Sequence, residues 1–229
     1  MDLEGNVMNK ENLTYNQSDI EDIIKCLQKN LNEDNYNLDT KYFKSYFEFI
    51  KYFERIDSID YHSFVIGSYF SYGWMPTVLK NFDKNDNIKS IITILNKIKS
   101  NIEIKDEEYL LLVKSINNSI VGVSKLLHFI NPKQYPIFDS RIKNYFKQKG
   151  LVENIYKTNY YNKNKPELKY TKDIQQYKLF KSLCLDIISS SKFNDIYDKS
   201  IIKLHLNNRL TKIRVLENLF FYFGGNNDS

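Results

Sequence analysis

Apolar residues recur every three or four positions along most of this chain, a period that predicts helices and not strands. Ser18 reads as an N-cap with Asp19, Glu21 and Asp22 in the first turn, and Ile20, Ile23, Ile24 and Leu27 follow on one face. A second helix is expected from Thr40 to Arg55, where Tyr42, Phe43, Tyr46, Phe47, Ile50 and Phe53 form a wide stripe. A third spans Ile59 to Tyr72 and stops at Gly73-Trp74-Met75-Pro76, because proline cannot continue a helix and pushes Met75 toward extended geometry. Val78 and Leu79 begin a short helix. Further helices are expected over Ile88–Ile98, Lys105–Ile116, Asp139–Lys149 with Gly150 as the stop, Asp173–Ser190 and Asn208–Phe223. Residues 157–172 are Tyr, Asn and Lys without periodicity and read as an exposed loop. No pair of strands and no internal repeat is visible. The class is all-α, a globular bundle of about eight to ten helices, with residues 18–229 as one domain or as two helical lobes around a site.

Composition changes this picture only at the margins. Of 229 residues, 42% are hydrophobic and 15% aromatic, enough to bury a core. The net charge of +5 permits contact with nucleic acid without demanding it. Lysine supplies 29 of the 33 basic residues and alanine is absent, the footprint of an AT-rich genome, so the lysines are a weak pointer to a nucleic-acid surface. Cys26 and Cys184 match no metal spacing and the three His form no zinc pattern, so neither metal nor cofactor is expected. Residues Met1–Gln17 are polar and acidic, unlike a signal peptide, and are expected to be disordered. No apolar run approaches the roughly 20 residues of a transmembrane helix. The expectation is a soluble, cytoplasmic protein.

The stretch that carries chemistry is Ile120-Val-Gly-Val-Ser-Lys-Leu-Leu-His-Phe-Ile-Asn-Pro-Lys-Gln-Tyr-Pro-Ile-Phe-Asp-Ser-Arg-Ile142. It reads as a turn signal at Asn117-Asn118-Ser119, a glycine, a short apolar helix, a proline-bounded loop and a new helix start at Asp139. In this layout it resembles the lysine-bearing branch of the helix-hairpin-helix DNA glycosylases. That resemblance implies a hairpin joining the helix that ends near Ile116 to one that begins near Ser124. It also implies Lys125 as the catalytic amine and Asp139 as the catalytic carboxylate. Gly122, Val123 and Ser124 would meet the backbone phosphate of double-stranded DNA, with Arg141 as a second phosphate contact. Tyr69, Tyr72, Trp74, Tyr135 and Phe138, with His128 one turn after Lys125, would wall a pocket for a base turned out of the stack.

The implied reaction has a physical logic. Cleaving a glycosidic bond builds positive charge on the sugar, which a fixed carboxylate stabilises. A lysine attacks C1′ only as the free amine, so it needs burial or a neighbouring cation to lose its proton near neutral pH. Each residue also has a plainer reading: Lys125 as a solvated lysine, Asp139 as an N-cap, His128 as a packed ring, Trp74 as a core anchor. The function expected from the resemblance is removal of a damaged or modified base in DNA repair, with or without lyase activity. The alternative is a non-catalytic helical module that binds nucleic acid or protein, such as an accessory or phage-defence protein.

Overall fold

The computed structural model describes residues 14–33, 41–74, 78–80, 82, 87–157, 166–204 and 210–225. Within them the chain is all-helical. Its helices are α1 (Gln17–Glu33), α2 (Lys41–Arg55), α3 (Tyr61–Gly73), α4 (Ile88–Lys99), α5 (Asp106–Ser115), α6 (Ile120–Ile130), α7 (Ser140–Lys149), α8 (Pro166–Ser189), α9 (Lys192–Leu204) and α10 (Lys212–Gly225), with a 3₁₀ turn at Glu153–Ile155. The described residues contain no strand, only an isolated bridge between Phe82 and Ile116. No described helix is long and apolar enough to cross a membrane.

Helix α6 is the axis of the molecule. It touches α2, α3, α4, α5 and α8, and its residues are buried from Gly122 through Ile130. A helix enclosed on every side needs apolar residues all round, and Val123, Leu126, Leu127, Phe129 and Ile130 supply them. Helix α10 is the second interior helix, buried from Ile213 through Phe220 and packed on α7, α8 and α9. Both interior helices nevertheless carry ionisable side chains: Lys125 and His128 on α6, Arg214 and Glu217 on α10.

Several boundaries differ from expectation, each for a local reason. Helix α8 starts at Pro166, inside the stretch read as a loop, because proline fits the first helical position, where its missing N–H costs nothing. Helix α9 was not anticipated. Its inward face is Phe193, Ile196, Ser200 and Ile201, a helical spacing diluted by Lys, Asn and Asp on the outward face. Residues 78–80 are not helical, so no helix begins at Val78. Helix α6 begins at Ile120 and not near Ser124, because Ser119 is its N-cap and accepts the Gly122 N–H at 3.2 Å. The expected disorder of residues 1–17 and the middle of the 157–172 loop fall largely outside the described residues.

Candidate active site on helix α6

The segment between α6 and α7 is extended, yet Tyr135, Pro136, Ile137 and Phe138 are all buried. Buried backbone outside a helix must find partners elsewhere. Here side chains provide them. Ser124 accepts the Phe138 N–H at 3.1 Å, the Tyr177 hydroxyl donates to the Pro136 carbonyl at 3.2 Å, and His128 Nδ1 lies 2.8 Å from the Tyr135 carbonyl. Ser124 and Phe138 immediately precede Lys125 and Asp139, so this one bond sets the register of the candidate pair. Ser124→Ala is expected to leave the Phe138 N–H buried and unpaired, costing about 1–3 kcal/mol in a urea titration.

Lys125 is 8% exposed, so it is not a solvated surface lysine. Its amine lies 5.6 Å from the centre of the Trp74 ring and makes no ion pair or hydrogen bond to another described residue. Burial pulls its pKa down to about 8, the Arg214 charge pulls the same way, and Asp139 and Glu217 oppose it. Asp139 is the N-cap of α7, with one carboxylate oxygen accepting the Ile142 N–H at 3.1 Å. Burial pushes its pKa up, against the pull of that N–H and of Lys125. Asp139 thus serves as a cap while its charge and that of Lys125 act on each other without an ion pair between them.

A second layer surrounds them. The Arg214 guanidinium lies 4.8 Å from the Tyr46 ring centre and 5.0 Å from that of Trp74, and its Nη1 donates to Glu217 Oε2 at 2.9 Å. Glu217 is 1% exposed. Its Oε1 lies 3.0 Å from His128 Nδ1 but receives no hydrogen bond, because that N–H is directed at the Tyr135 carbonyl. Two acceptors stand beside Nδ1, and Nε2 lies 3.0 Å from the Tyr46 hydroxyl.

The fold brings Lys125, Asp139, Trp74 and His128 into this one cluster. The other sequence-expected residues are placed elsewhere or differently. Gly122 lies inside α6, where an added Cβ would be 2.5 Å from the Tyr72 hydroxyl, so the glycine admits the Tyr72 side chain. The turn itself is made by Asn117 and Asn118, at φ 57° and 52°, the left-handed region that asparagine tolerates. Val123 and Ser124 are fully buried, so the expected phosphate contact at Gly122, Val123 and Ser124 has no surface to act through. Phe138 stacks on Phe180 in the core at 4.9 Å, and Tyr135 is buried beneath the Lys181 amine at 4.2 Å. Neither lines an open pocket. Tyr69 is 57% exposed and pairs with Phe82. Arg141 is exposed and lies over the Phe221 ring at 4.7 Å, outside the Lys125 cluster.

Three members of the cluster were missed in the sequence: Tyr46, Arg214 and Glu217. The signal for the last two was present. Arg214 is one of four arginines in the chain, and with Glu217 three positions on it stands among the apolar residues of the last helix. Among the described residues no group of His, Cys, Asp and Glu is arranged to hold a metal ion. No protein-family model, no curated protein and no solved structure matches the chain.

Proposed function

We propose that the chain is a DNA glycosylase-like enzyme in which Lys125 is the nucleophile and Asp139 the charge-stabilising carboxylate. The observation that carries this reading is a buried amine of pKa about 8, without an ion pair among the described residues, on which a carboxylate acts from a neighbouring helix cap. About a tenth of such an amine is unprotonated at pH 7, against fewer than one in a thousand for an ordinary lysine. That free amine attacks C1′ and the glycosidic pair leaves on the base nitrogen, which takes up a proton. The nitrogen now bonded to C1′ gives up a proton, and the sugar ring then opens as the nitrogen lone pair forms C1′=N and O4′ takes the C1′–O4′ pair and a proton, leaving a protonated Schiff base. Asp139 stabilises positive charge on the sugar while the bond breaks. DNA as the substrate rests on the resemblance of residues 120–142 and on the net charge of +5.

Sodium borohydride should trap the chain covalently on lesion-bearing duplexes, read as a shifted band on a denaturing gel. Absence of both trapping and base release across a broad panel of damaged and modified duplexes overturns the proposal. Asp139 separates its two roles. Asp139→Asn keeps a capping side chain, so stability should stay within about 0.5 kcal/mol while base release falls at least tenfold. Asp139→Ala should lose the same activity and about 1 kcal/mol of stability besides.

The near-closure of the cluster favours a second reading, that these charges hold together a non-catalytic binding module. Lys125 and Arg214 are each 8% exposed and His128 is fully buried. Under that reading Lys125→Gln and Asp139→Asn leave the protein's cellular activity unchanged.

A further inference from the structure

Two cations share one indole in this molecule. The Lys125 amine is 5.6 Å and the Arg214 carbon 5.0 Å from the Trp74 ring centre, and the two side chains come from the two interior helices. Like charges are seldom buried together, and each here lacks full compensation. Lys125 has no ion pair among the described residues. Arg214 meets Glu217 through a single Nη1–Oε2 bond, so the pair is not the bidentate fork that neutralises a guanidinium best. Its Nε stays buried without a hydrogen-bond partner among the described residues, and so does Glu217 Oε1.

We propose that Arg214 and Glu217 are opposed positioning residues for Lys125: Arg214 brings a second positive charge to the indole on which the amine packs, and Glu217 holds Arg214 there while offsetting that charge. This rests on Lys125 being the nucleophile only for its purpose, since the effect on the amine exists whatever the amine attacks. The groups acting on Lys125 are Asp139 from the α7 cap and Arg214 and Glu217 from α10. His128, one turn along α6, and Tyr46 from α2 are joined to each other by a hydrogen bond. Helix α3 contributes the uncharged Trp74 at its end, and α4, α5 and α8 add no charge that shifts the amine. Arg214 favours loss of the Lys125 proton and Glu217 favours its retention. Removing either member alone therefore moves Lys125 in opposite senses, which a purely structural pair would not do.

The test is trace acetylation of the whole protein with acetic anhydride from about pH 6 to about pH 11, reading the Lys125 peptide by mass spectrometry against the exposed lysines. Arg214→Gln should raise the Lys125 midpoint and lower its relative reactivity at neutral pH by roughly three- to tenfold. Glu217→Gln should lower the midpoint and raise that reactivity. Arg214→Lys, which keeps the charge, should restore most of the wild-type profile, and the double Gln variant should return close to it. Near-ultraviolet circular dichroism confirms that each variant is folded. Should one single variant fail to fold, the other carries the comparison: its midpoint must move from wild type in the stated sense, and the double variant must reverse that movement. Midpoints that move in the same direction, or do not move, overturn the proposal. The outcome is separate from the glycosylase reading, which fails if wild type traps no DNA even while these shifts are seen.

Discussion

Lys125→Met is expected to give a more stable protein that forms no borohydride-trapped complex. A buried ammonium without an ion pair carries a desolvation cost that nothing nearby fully offsets. Methionine fills similar space without charge, and the gain should be about 1–3 kcal/mol, or about 2–4 °C in Tm for each kcal/mol at this chain length. Trapping should fall by a factor on the order of 10³, because no other amine replaces a nucleophile held in place. The pH dependence fixes the cause. The folded amine titrates near 8, below its unfolded value, so the wild type bears the full cost of the buried charge below about pH 8. As pH rises from there toward the ordinary lysine value, the folded state has released a proton that the unfolded chain still holds, and wild-type stability gains on the variant. The advantage of Met should therefore be largest at neutral pH and fade in alkali, as measured by denaturant titrations at several pH values. A variant destabilised equally at all pH values would show that Lys125 is held by compensating contacts, and would remove the main support for a catalytic role.

Gly224→Ala is expected to be the most damaging single-carbon addition in the site's framework. Helices α7 and α10 share the most extensive helix–helix contact in the molecule. They meet so closely that a Cβ on Gly224 would stand 2.1 Å from the Arg141 carbonyl oxygen and 3.0 Å from the Tyr145 backbone nitrogen. Both clashes are with backbone, so no side-chain rotation relieves them. The Gly224 carbonyl also accepts from Asn144 Nδ2 at 2.7 Å, which ties the helices at that point. Overpacking of this kind costs about 3 kcal/mol or more, a fall in Tm on the order of 10 °C. The same shift displaces Asp139, which caps α7, from Arg214 and Glu217 on α10. Trapping at a temperature where the variant is folded should fall too, though less than on loss of Lys125. An unchanged Tm would mean that the two helices are not in this close contact.

The parts of this architecture that could be read in the sequence are those where one physical signal dominates. The aromatic stripe of α2, the Asp139 cap with the Gly150 stop, and the apolar run of α6 each have a single local cause, and each appears in the fold. The misread parts involve choices made in three dimensions. Gly122 reads in the sequence as a hairpin glycine, but its reason is Tyr72 of α3, fifty residues earlier in the chain. Nothing local distinguishes a glycine that turns the chain from one that makes room for a distant ring. The proline-bounded loop before Asp139 is legible from Pro132 and Pro136, yet the burial of its Tyr-Pro-Ile-Phe run depends on three side chains from α6 and α8. Arg214 and Glu217 were passed over because charges on a helix usually mark a solvated face, and only the burial of α10 makes them exceptional.

The enclosure of α6 by five other helices has a kinetic corollary. Its backbone amides are shielded on every side, so their hydrogens should exchange only when the whole domain opens, and α6 should be among the slowest-exchanging segments of the chain. The buried Lys125 amine is thus mounted on one of the segments least able to move. Any breathing that admits a guest to Lys125 must come from the walls around it, and deuterium uptake should register there while α6 stays protected.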